Sequence, residues 1–219
     1  MRYGKSCSWI VIGLCVFAGG GCGKKASQQI GHGRFEGPVY HNDYLAFEIT
    51  IPAEWSIQDR ETARKMMRTG EKMMAGGDAD VQAALEAGES RTVNLFTAFK
   101  YPYGSPVEHN PSINCVAEGV SHLPGIRTGG DYLFHAKRLL QAGQVRFAFP
   151  REVYTETVGG VEFHVLAAEL LLPTKTVKQE YFATVRKGYT LLLILAYSTD
   201  EEKAALRSIL DTVKFTPQQ

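Results

Sequence analysis

The 219-residue chain is poor in the groups that most chemistry needs. It has four cysteines, and no apolar run reaches the roughly 20 residues required by a membrane-spanning helix. Its 24 basic and 23 acidic side chains nearly cancel. Without a basic surplus to neutralise phosphates, nucleic acid is excluded as an expected partner. The six histidines, His32, His41, His109, His122, His135 and His164, show no ligand spacing. No phosphate-binding loop, dinucleotide fingerprint or Gly-x-Ser-x-Gly element occurs. No metal, cofactor or catalytic residue is therefore expected. Hydrophobic residues at 44% and charged residues at 21% describe an ordinary globular chain rather than a disordered one.

What is present begins at the first residues. Arg2 and Lys5 precede a twelve-residue apolar run over 7–18, followed by Gly19-Gly20-Gly21-Cys22. A basic segment, an apolar segment and small residues in that order make a cleaved secretory signal. Ending on cysteine, it resembles a bacterial lipoprotein signal. That resemblance implies removal of residues 1–21 and acylation of Cys22 as the mature amino end. Gly19 departs from the pattern, which has an aliphatic residue there, and the alternative is ordinary cleavage within 18–21. A single acyl chain holds a protein only marginally, whereas two or more give stable attachment. Lys24 and Lys25 can supplement such an anchor, and Gly23, not being aspartate, favours the outer membrane. The expected location is extracytoplasmic, with the membrane as one partner. The cut chain would carry 22 basic and 23 acidic side chains and a lone remaining thiol, Cys115, so no intramolecular disulfide is expected.

Residues 22–38 are polar and glycine-rich and read as a tether to one domain over 39–216. Strict alternation over 45–51 predicts a strand with Leu45, Phe47, Ile49 and Ile51 on one face. A helical stripe follows over 60–75, and a second helix to about Ala87 starts near Asp78 or Asp80. Strands are predicted over 91–101 and 112–118, then a helix over 131–142. Strand-like runs follow over 145–149, 153–158, 161–172, 179–186 and 189–197, the last apolar on both faces. Gly159-Gly160 and Lys187-Gly188 read as two-residue hairpin turns. Thr199 with Glu202 forms a capping box opening a final helix, and a strand over 213–215 closes the chain. The architecture is α+β, an antiparallel sheet with helices on both faces.

Three stretches in order, Leu45 to Ile57 with its Pro52-x-x-Trp55 element, the meander into Gly188-Tyr189, and the closing helix and strand to Phe215, resemble the PsbP-like or Mog-like family. The resemblance implies an α/β/α sandwich and a binding or assembly module without a shared catalytic motif. On this reading the chain is non-enzymatic, and its partner is another envelope protein. Met66, Met67, Met73 and Met74 are candidate partner-binding residues, because methionine surfaces adapt to apolar partners; core packing is the plain alternative. The competing class is a small-molecule carrier or enzyme using space between the Met-rich helix and the sheet, with Glu169, His164 and Cys115 as polar groups. Ile113, Cys115 and Ala117 share a strand face that reads as core. Glu169 reads as a partner of Arg186 or Lys178.

Overall fold

The computed structural model describes residues 30–216. Cys22, the expected signal over 1–21 and the part of the expected 22–38 tether up to residue 29 lie outside the described residues. Four short strands, β1 (Arg34–Glu36), β2 (Val39–Asn42), β3 (Phe47–Thr50) and β12 (Lys214–Phe215), form a separate antiparallel sheet in the order β1-β2-β3-β12. The larger sheet contains β4 (Ser56–Ile57), β5 (Thr92–Phe99), β6 (Ser112–Gly119), β7 (Phe147–Ala148), β8 (Tyr154–Val158), β9 (Val161–Leu171), β10 (Thr176–Arg186) and β11 (Tyr189–Tyr197). Its order is β4-β5-β6-β11-β10-β9-β7, with β8 also paired to β9. The helices are α1 (Arg60–Ala75), α2 (Ala79–Glu89), α3 (Gly129–Ala142) and α4 (Asp200–Leu210).

The α+β class holds, with antiparallel pairing throughout. Alternate residues of the large sheet feed two cores. On one face Val116, Leu166, Ala168, Tyr181, Leu192 and Ile194 pack with Leu133, Ala136 and Leu140 of α3 and Val81 and Leu85 of α2. On the other, Ile113, Cys115, Val165, Phe182, Leu193 and Leu195 pack with α4 and with the small sheet through Tyr40, Phe47 and Ile49. Central β11 is buried after its first residue because both faces are covered.

Local chemistry sets the boundaries. Asp59 caps α1 by accepting from Thr62 N–H, and Gly76 ends it in the left-handed region at φ 54°. Thr128 and Thr199 each make a reciprocal capping box, with Asp131 and Glu202. Gly159 and Gly160, at φ 57° and 78°, and Lys187 and Gly188, at 48° and 80°, turn the two hairpins with the hand that matches strand twist.

Two expectations are corrected. The strand expected over 45–51 begins only at Phe47, because Ala46 adopts φ 51°. Buried Asn42 fixes that turn, its Oδ1 accepting from Leu45 N–H at 3.0 Å. The ordered body also starts before residue 39. Within the stretch expected as tether, Ile30 is buried in a core and Arg34–Glu36 pairs with β2. Period-two alternation is too short there to register in sequence.

Candidate functional site

The path of the first described residues defines the two ends of the molecule. Ile30 N–H donates to Tyr189 Oη at 3.3 Å, and His32 Nδ1 lies 3.1 Å from Asn94 O. Tyr189 opens β11 and Asn94 lies near the start of β5, so the chain enters at one end of the large sheet. We call this end proximal. The β5–β6 connection leaves the opposite, distal end. A nine-residue strand such as β11 separates them by about 27 Å.

The distal connection, residues 100–111, is a built loop. Asn110, 1% exposed, accepts from Tyr101 N–H at 2.9 Å and donates to Tyr101 O at 2.8 Å. Lys100 N–H donates to Pro111 O, and Ser105 Oγ donates to Pro102 O. Buried His109 places Nδ1 3.0 Å from Glu202 Oε2, tying the loop to the start of α4, and Lys175 Nζ donates to Glu108 O. Burial lowers the His109 pKa, and the Glu202 carboxylate only partly opposes it. On this fixed frame Tyr101 is 39% and Tyr103 56% exposed. Ile57, opposite Ala98 on the edge strand, is 41% exposed and adds apolar surface at the same end. Tyrosines held on a rigid loop offer large contact area at little conformational cost.

At the proximal end a cleft of about 350 Å³ lies beside the start of α1, between Arg60, Arg64 and Met67 of the helix and Val93 and Asn94 of β5, with His32 and Glu89 at its rim. Arg64 and Arg68 both reach Glu89 Oε1, at 3.3 and 3.0 Å.

The methionines of α1 are largely taken up by packing. Met66, Met67 and Met74 are buried, at 6%, 5% and 0% exposure, and half-buried Met73 packs on the α2–α3 core. The stripe that makes α1 amphipathic is the stripe that docks it, so its apolar residues are spent on the core. Only Met67 also lines the cleft.

Cys115, His164 and Glu169 do not converge. Fully buried Cys115 belongs to the α4-side core, where burial pushes its thiol well above the ordinary value. His164 lies on the opposite face beneath α3, against Gly130. Glu169 sits opposite Lys178 in the β9–β10 register. Gly129-Gly130 opens α3 where it packs closely on the Ala183 backbone and the His164 ring.

Sequence reasoning missed a buried carboxylate, Glu71 of α1, which is 3% exposed and leaves Oε1 without a hydrogen-bond partner. Burial pushes its pKa up to about 7, with Glu89 and Glu86 adding to the rise and Arg68 opposing it. The folded state then binds more protons than the unfolded state between about pH 4.5 and 7, so stability falls as pH rises through that window. The rise from 4.5 to about 7 is worth about 3 kcal/mol before solvent screening reduces it, so Glu71→Gln is expected to raise stability by about 2 kcal/mol at pH 8 and by almost nothing at pH 4. Urea midpoints at the two pH values check this; an equal gain at both would refute the assignment.

No family model matches the sequence, and no curated protein matches it either. Solved structures do. The chain is similar to CyanoP, the cyanobacterial PsbP of Synechocystis, at 12% identity over 90% of this chain and 98% of that one, TM-score 0.47. It is also similar to LpqN, involved in cell envelope biogenesis of Mycobacterium tuberculosis, at 16% identity over 78% and 83%, TM-score 0.44. Scores below 0.5 assign neither function nor partner. Among the described residues, no helix is long and apolar enough to cross a membrane.

Proposed function

We propose that this chain is a lipid-anchored, extracytoplasmic binding or assembly module of the cell envelope, non-enzymatic, whose partner is another envelope protein engaged through the Tyr101–Tyr103 loop. The observation that carries the reading is the polarity of the body. Ile30, eight residues after Cys22, enters at one end of the sheet, and the exposed tyrosines stand on a braced loop at the other. Acyl chains on Cys22 would keep the proximal end within about 28 Å of the bilayer, the extended length of eight residues. The tyrosines then point away from the membrane, where a protein partner can reach them.

A second reading has one observation in its favour. The proximal cleft has the size of a small-molecule site and combines the apolar Met67 and Val93 with arginines. A carrier of a small anionic amphiphile would use it.

One experiment separates these. Wild type, Cys22→Ser and a Tyr101→Ser/Tyr103→Ser variant are expressed with a fatty-acid probe, the envelope is fractionated, and cross-linked partners are recovered. Wild type should take the label and sediment with membranes, and Cys22→Ser should do neither. The double tyrosine variant should keep its label while recovery of a protein partner falls about tenfold or more, as expected for a truncated hot spot. An unlabelled wild type in the soluble cytosolic fraction would end the anchor reading. Unchanged partner recovery would move the contact away from the loop, and a small amphiphile co-purifying in place of a protein would favour the carrier.

A further inference from the structure

The proximal end holds a second recess, distinct from the cleft beside α1. Its volume is about 540 Å³, and its walls are the two hairpin turns, Gly159-Gly160 and Arg186-Lys187, with Phe215 of β12 against them. The chain builds it by nonlocal means. β12 returns to pair with β3, and the Gly159 turn closes on the segment before β12 so tightly that a Cβ at Gly159 would lie 2.7 Å from Val213 O.

Arg186 is the unusual group. Its guanidinium lies over the Phe215 ring at 4.6 Å, yet it has no ion pair with any carboxylate among the described residues, and its buried Nε donates no hydrogen bond. Burial alone acts on its pKa, downward, with no acid compensating. Arg207, another partly buried arginine, is by contrast bound to two glutamates. Beside Arg186, exposed Lys187 occupies the turn at φ 48°, where its carbonyl is held by Tyr44 Oη at 3.0 Å. A stacked cation with an unpartnered Nε and an exposed cation thus border one open recess, an arrangement suited to an anion. The planar guanidinium fork favours an oxyanion such as phosphate.

Position decides the source. Tyr44 packs edge-on against Tyr189 at 5.5 Å, and Tyr189 receives the Ile30 N–H. The recess therefore adjoins the point where the chain enters, on the side that faces the bilayer under the proposed anchoring. We propose that Arg186 and Lys187 bind the headgroup phosphate of an anionic phospholipid, orienting the body on the membrane surface. This rests on the lipid-anchored reading for its geometry, and its test uses no acyl chain.

Every described element and both described cores lie within 30–216, so an unacylated chain starting at Gly23 contains all of them. That chain is co-sedimented with vesicles of phosphatidylglycerol and phosphatidylcholine, or of phosphatidylcholine alone. Binding is expected only to the anionic vesicles, and Arg186→Gln/Lys187→Asn should weaken it roughly tenfold or more. Asn tolerates the left-handed turn, so Lys187→Asn alone should leave the urea midpoint unchanged and still weaken binding several-fold. Equal binding of wild type and Lys187→Asn overturns the proposal. Saturation of the recess by glycerol phosphate, seen by NMR, without vesicle binding also overturns it, reassigning the site to a soluble phosphate. Failure of Cys22 labelling is read separately and leaves this result standing.

Discussion

Arg207→Ala is expected to destabilise the protein by about 3 kcal/mol, the cost of leaving buried Glu180 and half-buried Glu156 without their shared cation. Arg207 projects from α4 towards the large sheet. Its Nη1 and Nη2 hold Glu156 at 2.6 and 3.2 Å, and Nη2 also lies 2.9 Å from Glu180. Lys203, one turn earlier, reaches the other Glu180 oxygen at 3.0 Å. The guanidinium covers the Phe182 ring at 4.8 Å. Burial works against the charge of Arg207, but Glu156 and Glu180 outweigh it and hold its pKa above the ordinary value. The Glu156 carboxyl is likewise held below its usual range, because Arg207 overcomes its desolvation. With the glutamate lowered in the folded state, this part of the stability is present above about pH 4.5 and lost as pH falls further. The Glu180 side chain is only 4% exposed, so once Arg207 is gone Lys203 is left as its ion-pair partner, with the Tyr197 hydroxyl hydrogen-bonded beside it. Urea denaturation of Arg207→Ala and of Arg207→Ala/Glu180→Gln checks the mechanism. The second change should recover part of the loss; a further loss instead would show that packing on Phe182, and not charge, dominates.

Gly129→Ala is expected to cost at least about 3 kcal/mol, at the upper end for overpacking. A Cβ there would meet Ala183 O at 1.9 Å and Ala183 C at 2.6 Å, both backbone of central β10. Neither side can yield cheaply, since α3 is seated by Tyr132, Leu133, Ala136 and Leu140 and β10 is paired on both edges. Gly130→Ala should cost distinctly less. Its nearest neighbours are ring atoms of His164, which can rotate away. Thermal unfolding of the two variants side by side tests the contrast, and equal losses would mean that helix propensity rather than close approach is being measured.

Gly129 also illustrates how far the sequence could be read. A Gly-Gly pair before a capped helix announces a boundary, and Thr128 with Asp131 supplies the cap, but nothing local says that a carbonyl of a strand 54 residues later sits against the first glycine. Elements whose signal is local were legible: α1 from its apolar stripe, α4 from its capping box, and the two hairpins from their turn residues. The small sheet was not, because β3 pairs with β12, which lies at the other end of the chain. The methionine stripe was visible as a stripe, yet periodicity marks only that a face is apolar, not whether the core or a partner covers it. Burial of Cys115 followed from its alternation with Ile113 and Ala117. Glu71, the Asn110-braced tyrosine loop and the unsatisfied Arg186 were beyond reach, because each depends on which distant groups stand opposite.

The return of β12 to the small sheet has a practical corollary. Thr216 N–H bonds to Ala46 O and Thr216 borders the Arg186 recess, so this last described residue lies on the side where Ile30 enters. Under the proposed anchoring, a fluorescent reporter fused there would wedge between protein and lipid. The same cargo spliced near Gly104 would instead stand in the way of the proposed protein partner.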